Sequence, residues 1–209
     1  MPATHRILIV DDESRPRDAF AALIGLDPDF VVAAKADSAQ SALEYLDTMP
    51  VDIVVTDMAM PGPNGIQLTK AIRATHPQVR VLMLSSHDES LFAESALLAG
   101  ASGYLMKGDA AELLAEALRH VASAGIYLSE SMWSRLYRPP RGACLSDQEE
   151  AFLFALGRGN PPTRALASRL HKSEGFIEAL SHRLMRKLGY LGPTELRLHA
   201  HRRQMVDAC

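Results

Sequence analysis

Five polar residues in the first half of the chain could do phosphoryl chemistry together. Asp11 and Asp12 follow a short apolar run at residues 7–10, and Asp57 follows another at 53–56. Ser85 ends a run at 81–84, and Lys107 comes directly after 103–106. If these runs are strands of one parallel sheet, all five side chains gather at its carboxyl edge, where open α/β sheets bind ligands. Three carboxylates held there repel one another unless a cation joins them. Oxygen-only ligands select a hard ion, and Mg²⁺ is the usual one where a phosphoryl group also binds. An Asp beside that ion is a nucleophile able to form an aspartyl-phosphate. A hydroxyl and an ammonium nearby can then hold the phosphoryl oxygens. The plainer alternative is that strand-end acids cap the following helices, as Asp12 or Ser14 would for the first one. A single acid would favour that alternative, whereas five matched residues on four strand ends favour the site.

The elements needed to position these residues are present in the pattern. Apolar, β-branched-rich runs lie at 7–10, 30–34, 53–56 and 81–84, with a weaker fifth at 103–106. Helical periodicity fills the intervals at 15–26, 39–49, 65–75 and 91–99, and again at 110–124. Strict alternation predicts a doubly wound, five-stranded parallel α/β sheet with helices on both faces. The strands are continuous apolar runs, as burial on both sides requires. After Gly125 the pattern breaks. Residues 125–144 carry Trp133, Pro139, Pro140 and Gly142 and read as a linker, with a helical turn near 131–137. From Leu145 onward the pattern is helical throughout. The expected division is therefore 1–124, a linker at 125–144, and a small all-α domain at 145–209.

Bulk properties agree with this division. Residues 1–144 hold 12 Lys and Arg against 18 Asp and Glu, and residues 145–209 hold 10 against 7. An acidic first part joined to a basic second part fits a regulatory module attached to a polyanion binder. Chance composition would explain it as well. No apolar run reaches the roughly 18 residues that would span a membrane. The two cysteines, Cys144 and Cys209, suggest no disulfide framework. The expectation is a cytoplasmic protein without a membrane partner.

Residues 5–124 resemble the receiver domain of two-component response regulators. The resemblance rests on the run from Ile7 to Glu13, on Val54 to Gly65 with Asp57, Pro61 and Gly65, and on Gly100 to Lys107 with Tyr104. It implies a flavodoxin-like fold and phosphorylation of Asp57 by a sensor histidine kinase. It implies Mg²⁺ held by Asp12 directly, by Asp11 largely through water, by Asp57 and by the backbone carbonyl of Ala59. Lys107 would contact the phosphoryl group and Ser85 would turn toward it, with Tyr104 moving inward in step as a switch. Ala59 and His87 would line the route of the attacking water. Pro61 and Gly65 would shape the loop after the third strand, Gly65 through backbone angles other residues avoid. Tyr104 could also merely fill the sheet surface, and Met58 and Met60 read as packing residues. Phosphatases of the haloacid-dehalogenase type also use an Asp nucleophile with Mg²⁺, but they place a second Asp two residues later. Here that position is Ala59, so an enzyme is not expected.

Residues 145–203 resemble a LuxR-type helix-turn-helix domain, through Leu145 to Glu149, Leu166 to Leu170, Ser173, Leu184 to Gly189 and Thr194 to Leu196. The family implies four helices, the third entering the DNA major groove. That helix is expected over 174–188, with Phe176, Ile177, Leu180, Leu184 and Leu188 packed inward. Its outward residues include Glu178, His182, Arg183 and Arg186, which with Lys187 form the candidate DNA-contacting set. Phe176, Glu178 and Leu180 stand where the family usually has a small polar residue, a lysine and a histidine. The turn at 159–163 is one residue longer and holds two prolines, and Pro193 replaces a common arginine. The tail from His199 to Arg203 is either a phosphate contact or a soluble end. Together these readings imply a transcription regulator that binds DNA and dimerises when phosphorylated. The alternative is a phosphorylation-controlled module whose altered helix-turn-helix contacts a protein.

Overall fold

The structure is a computed structural model describing residues 4–86, 90–123, 126–129, 132, 144–158, 161–190 and 192–207. His87, Trp133 and, apart from Met132, the turn expected over 131–137 lie outside the described residues. The chain divides into two compact units.

The first unit alternates strands and helices: β1 (His5–Val10), α1 (Ser14–Ile24), β2 (Phe30–Ala36), α2 (Ala39–Thr48), β3 (Ile53–Asp57), α3 (Gly65–Thr75), β4 (Arg80–Ser85), α4 (Ser90–Ala99), β5 (Gly103–Met106) and α5 (Ala110–Ala122). The sheet order is β2-β1-β3-β4-β5-β6 and every pairing is parallel. The sheet has six strands rather than the expected five. The extra strand β6 (Tyr127–Leu128) pairs with Gly103 and Tyr104, inside the stretch read as linker. Tyr127 and Leu128 are buried, so the segment gains a sheet edge and an apolar contact together.

Alternating side chains on the central strands feed two cores. Ile7, Ile9, Ile53 and Val55 pack with Phe20 and Ile24 of α1 and Leu114, Leu118 and Val121 of α5. Leu8, Val10, Val54 and Val81 pack on the other face with Ala42 and Leu46 of α2 and Leu68 and Ile72 of α3. With both faces covered, the polar side chains of β1, β3, β4 and β5 are left to the strand ends.

The second unit contains α6 (Asp147–Gly157), α7 (Thr163–Leu170), α8 (Glu174–Leu188) and α9 (Pro193–Asp207). Ser146 and Glu149 form a capping box on α6, and the Ser173 hydroxyl accepts from the Phe176 N–H to cap α8. Gly189, at φ 75°, ends α8 in the left-handed conformation that glycine adopts most easily. Pro193 occupies the first position of α9, where a missing N–H costs nothing. Phe152, Leu156, Leu166, Ile177, Leu180, Leu184, Leu188 and Leu196 share one core.

Two expectations fail in this unit. Phe176 does not pack inward: it is 37% exposed, with the Lys172 Nζ 5.4 Å from its ring centroid. His199 and His201 are buried rather than part of a soluble or phosphate-binding end. Burial, with Arg203 adding to it, lowers the His199 pKa to about 4, so the ring is neutral near pH 7. Among the described residues, no helix is long and apolar enough to cross a membrane.

Candidate functional site

The carboxyl edge of the sheet gathers the residues the sequence singled out. Asp57 ends β3, Ser85 ends β4, and Lys107 begins a 3-10 turn (Lys107–Asp109) directly after β5. Asp11 and Asp12 follow β1. Carboxylate oxygens of Asp11, Asp12 and Asp57 lie within 4.8 Å of one another. The Lys107 Nζ bridges two of them, at 2.8 Å from Asp11 Oδ2 and 3.1 Å from Asp57 Oδ1.

Asp11 is held from several sides. Its Oδ1 accepts from the Glu13 N–H at 2.9 Å, and its carbonyl accepts from Arg17 Nη1 at 2.6 Å. Asp12 differs in being exposed. The N-cap of α1 is Glu13, and it makes no side-chain cap bond, so neither Asp12 nor Ser14 serves as a cap. Capping therefore does not account for Asp12.

Electrostatics at Asp57 follow from its surroundings. Burial pushes its pKa up, and Asp11 adds to that, while Lys107 and the Ala59 backbone N–H pull the other way. Burial alone would lower the Lys107 pKa, but its hydrogen bonds to Asp11 and Asp57 win and hold it above the ordinary range. Three carboxylates and one ammonium leave two negative charges uncompensated, which suits one divalent cation. The donors are all oxygen, as a hard ion requires. Ser85 is fully buried and Tyr104 is 1% exposed, so the aromatic ring lies inside the unit.

The Gly65 expectation needs correction. Its φ is not positive; the positive-φ glycine of this loop is Gly62, at 74°. Gly65 is required for space instead. A Cβ there would lie 2.3 Å from the Asp57 carbonyl oxygen and 3.0 Å from the Met58 Cα. Its N–H also donates to the Met58 carbonyl at 3.0 Å, so α3 begins directly against the Asp57 backbone.

In the second unit the five candidate DNA-contacting residues split into two groups. Glu178, His182 and Arg186 are exposed, and among the described residues none makes an ion pair. Lys187 and Arg183 instead meet Glu149, at 2.5 Å from Oε2 and 3.5 Å from Oε1. Glu149 is 3% exposed, and apart from the capping-box spacing nothing in the sequence marks these pairs. Lys187, with the Ser146 N–H behind it, holds the Glu149 carboxyl below the ordinary range. A lowered carboxyl pKa adds stability above the usual glutamate value, and that stability is lost as pH falls from there through the lowered pKa of the folded state. Glu149→Ala removes the reciprocal half of the capping box, the carboxylate that accepts from the Ser146 N–H, and leaves Lys187 and Arg183 without their partner. It should cost about 2 kcal/mol, less than breaking a fully buried pair because Lys187 is partly solvated. Urea unfolding of the full chain at pH 7 checks this, and the difference should shrink at pH 3.5.

The Response regulator receiver domain family matches residues 7–119. DegU of Brevibacillus brevis is 32% identical over 70% of this chain and 62% of its own length. The DNA-binding transcriptional activator DevR/DosR of Mycobacterium tuberculosis is 30% identical over 88% of each chain. The RcsB response regulator of Salmonella typhimurium shares the fold, with a TM-score of 0.60 and 21% identity over the full length of both chains. With the receiver match spanning more than half its residues and a strand-edge acid cluster in place, the chain belongs to the response regulators: an α/β receiver followed by a helical output unit.

Proposed function

We propose that Asp57 accepts a phosphoryl group from the histidine of a sensor kinase in the cytoplasm, and that the C-terminal unit then controls transcription by binding DNA as a homodimer. The proposed division is a receiver over 1–124 to which β6 (Tyr127–Leu128) adds an edge strand, the remainder of 125–144 as linker, and a helix-turn-helix domain over 145–209. The observation that carries the first part is the Lys107 ammonium set between the Asp57 and Asp11 carboxylates, with Asp12 exposed beside them. In the transfer, an Asp57 oxygen attacks phosphorus, the P–N bond of the phosphohistidine breaks, and the imidazole leaves with the electron pair. Lys107 would pair with the phosphoryl oxygens, and the Ser85 hydroxyl would donate to one of them. In this reading Tyr104 registers the movement of Ser85.

Asp11, Asp12, Asp57 and the Ala59 carbonyl would hold Mg²⁺, which supplies charge neutralisation for the transferring group. Asp11 already spends both carboxylate oxygens on Lys107 and the Glu13 N–H, so Asp12 carries the larger share. Asp12→Ala is expected to weaken Mg²⁺ binding at least tenfold. Equal affinities by NMR titration of the two proteins would remove Asp12 from the ligand set.

DNA binding is supported by the relationship to DevR/DosR and by the exposed face of α8 with His182 and Arg186. Arg183 and Lys187 are candidate phosphate contacts that Glu149 holds in place. The test is affinity for mixed-sequence duplex DNA across a salt series, with and without a beryllofluoride–Mg²⁺ phosphate mimic. Tighter binding in the activated state, weakening as salt rises, is the expected result. No binding at low salt in either state would overturn the DNA reading and leave a protein as the output partner.

A further inference from the structure

Helix α8 turns about 100° per residue. Its buried stripe is Ile177, Leu180, Leu184 and Leu188. The opposite pole therefore falls on Gly175, Ala179, His182 and Arg186. Phe176 and Glu178 stand on the two flanks of that pole, each roughly 65–95° from it. Both are exposed.

The front of this face lacks the usual readers of purines. Among Glu174, Gly175, Phe176, Glu178 and Ala179 there is no Arg or Lys for guanine and no Asn or Gln for adenine. The pole itself is bare. A Cβ added at Gly175 would meet nothing within 4 Å, and Ala179 carries only a methyl. A helix with so thin a leading edge can bring its backbone close to base edges, so the short flanking side chains reach them.

The chemistry of each flank selects a base. A carboxylate only accepts hydrogen bonds. In the major groove, guanine offers it acceptors N7 and O6 and thymine offers O4, all of which repel it. Adenine pairs a donor with an adjacent acceptor. Cytosine presents its 4-amino donor with no acceptor beside it. The apolar ring of Phe176 has one apolar partner in the groove, the thymine methyl. Its ring is held outward with the Lys172 ammonium 5.4 Å from its centroid, and that cation also suits the neighbouring phosphates.

Resting on the DNA reading above, we infer that α8 reads pyrimidines, Glu178 taking the 4-amino group of a cytosine and Phe176 the methyl of a thymine. The two contacts lie on opposite flanks of the helix. Arg186 and His182 follow further along the helix and complete the contact.

The experiment uses the full chain with beryllofluoride and Mg²⁺, selecting from a pool of random-sequence duplexes. Each thymine of the selected site is then replaced by uracil, which removes only the methyl. One replacement should weaken wild-type binding about three- to tenfold and leave Phe176→Ala unaffected. Glu178→Gln should move one position from C·G toward A·T by about tenfold, because an amide pairs with the adenine N6 and N7. Both variants change exposed side chains, and far-UV circular dichroism checks that they fold. Indifference to uracil at every position, or an unchanged base preference in Glu178→Gln, overturns the inference. Salt-dependent binding without sequence preference also overturns it while leaving the DNA function standing. Absence of any binding at low salt removes both.

Discussion

Asp57→Asn is expected to abolish phosphoryl uptake. Wild-type chain treated with acetyl phosphate and Mg²⁺ should gain one phosphoryl group by intact mass, and the variant none. The amide has nearly the same shape but no anionic oxygen to attack phosphorus. The fold should survive, because Asn removes a buried charge whose desolvation already works against it. Lys107 keeps its hydrogen bond to Asp11 at 2.8 Å. Uptake of one group by the variant would show that another residue is the acceptor.

Gly65→Ala should damage both the fold and the transfer. The added methyl would sit 2.3 Å from the Asp57 carbonyl oxygen, about 1 Å inside ordinary contact. The opposing atoms are backbone, at the end of a fully buried strand, so no side chain can swing away. Relief requires moving either the start of α3 or the Asp57–Met58 backbone. The expected cost is about 2–4 kcal/mol, at or above the usual range for overpacking. A displaced Asp57 no longer meets Lys107 and Asp12 correctly, and the acetyl phosphate reaction should slow at least tenfold. Gly62→Ala is the matched comparison. It has open space but a positive φ, so it should cost only about 1 kcal/mol. Equal urea midpoints and equal phosphorylation rates for the two variants would show that crowding at Gly65 is unimportant.

The receiver was legible because its chemistry sits where the sheet pattern ends. A strand buried on both faces is a continuous apolar run, so the first polar residue after it marks the ligand edge. Asp11, Asp12 and Lys107 were placed by that logic, and Ser85 proved to be the last residue of its strand. Gly65 was found for the wrong reason, because sequence cannot separate a glycine needed for its angles from one needed for its size. Strand β6 was invisible because two residues carry no period. In α8 the helical period placed Leu180 and Leu184 correctly, yet Phe176 lies at the border of the apolar stripe, where solvent and core compete. The pairing of Glu149 with Lys187 spans 38 positions and follows only from the tertiary core that α6 and α8 share. His199 and His201 looked like part of a basic tail, but α9 turns them into the core.

Strand β6 has a practical consequence for anyone dividing this chain. A receiver cut at residue 124, where the repeating pattern stops, would lose Tyr127 and Leu128 and bare the outer edge of β5. That edge would present unpaired backbone N–H and C=O groups beside newly uncovered apolar surface. Such an edge is a template for sheet-to-sheet association between molecules. The shortened fragment would therefore be prone to oligomers that are artefacts of the cut and easily mistaken for signalling dimers. Extending it through Ser129 keeps the edge covered and makes any remaining self-association meaningful.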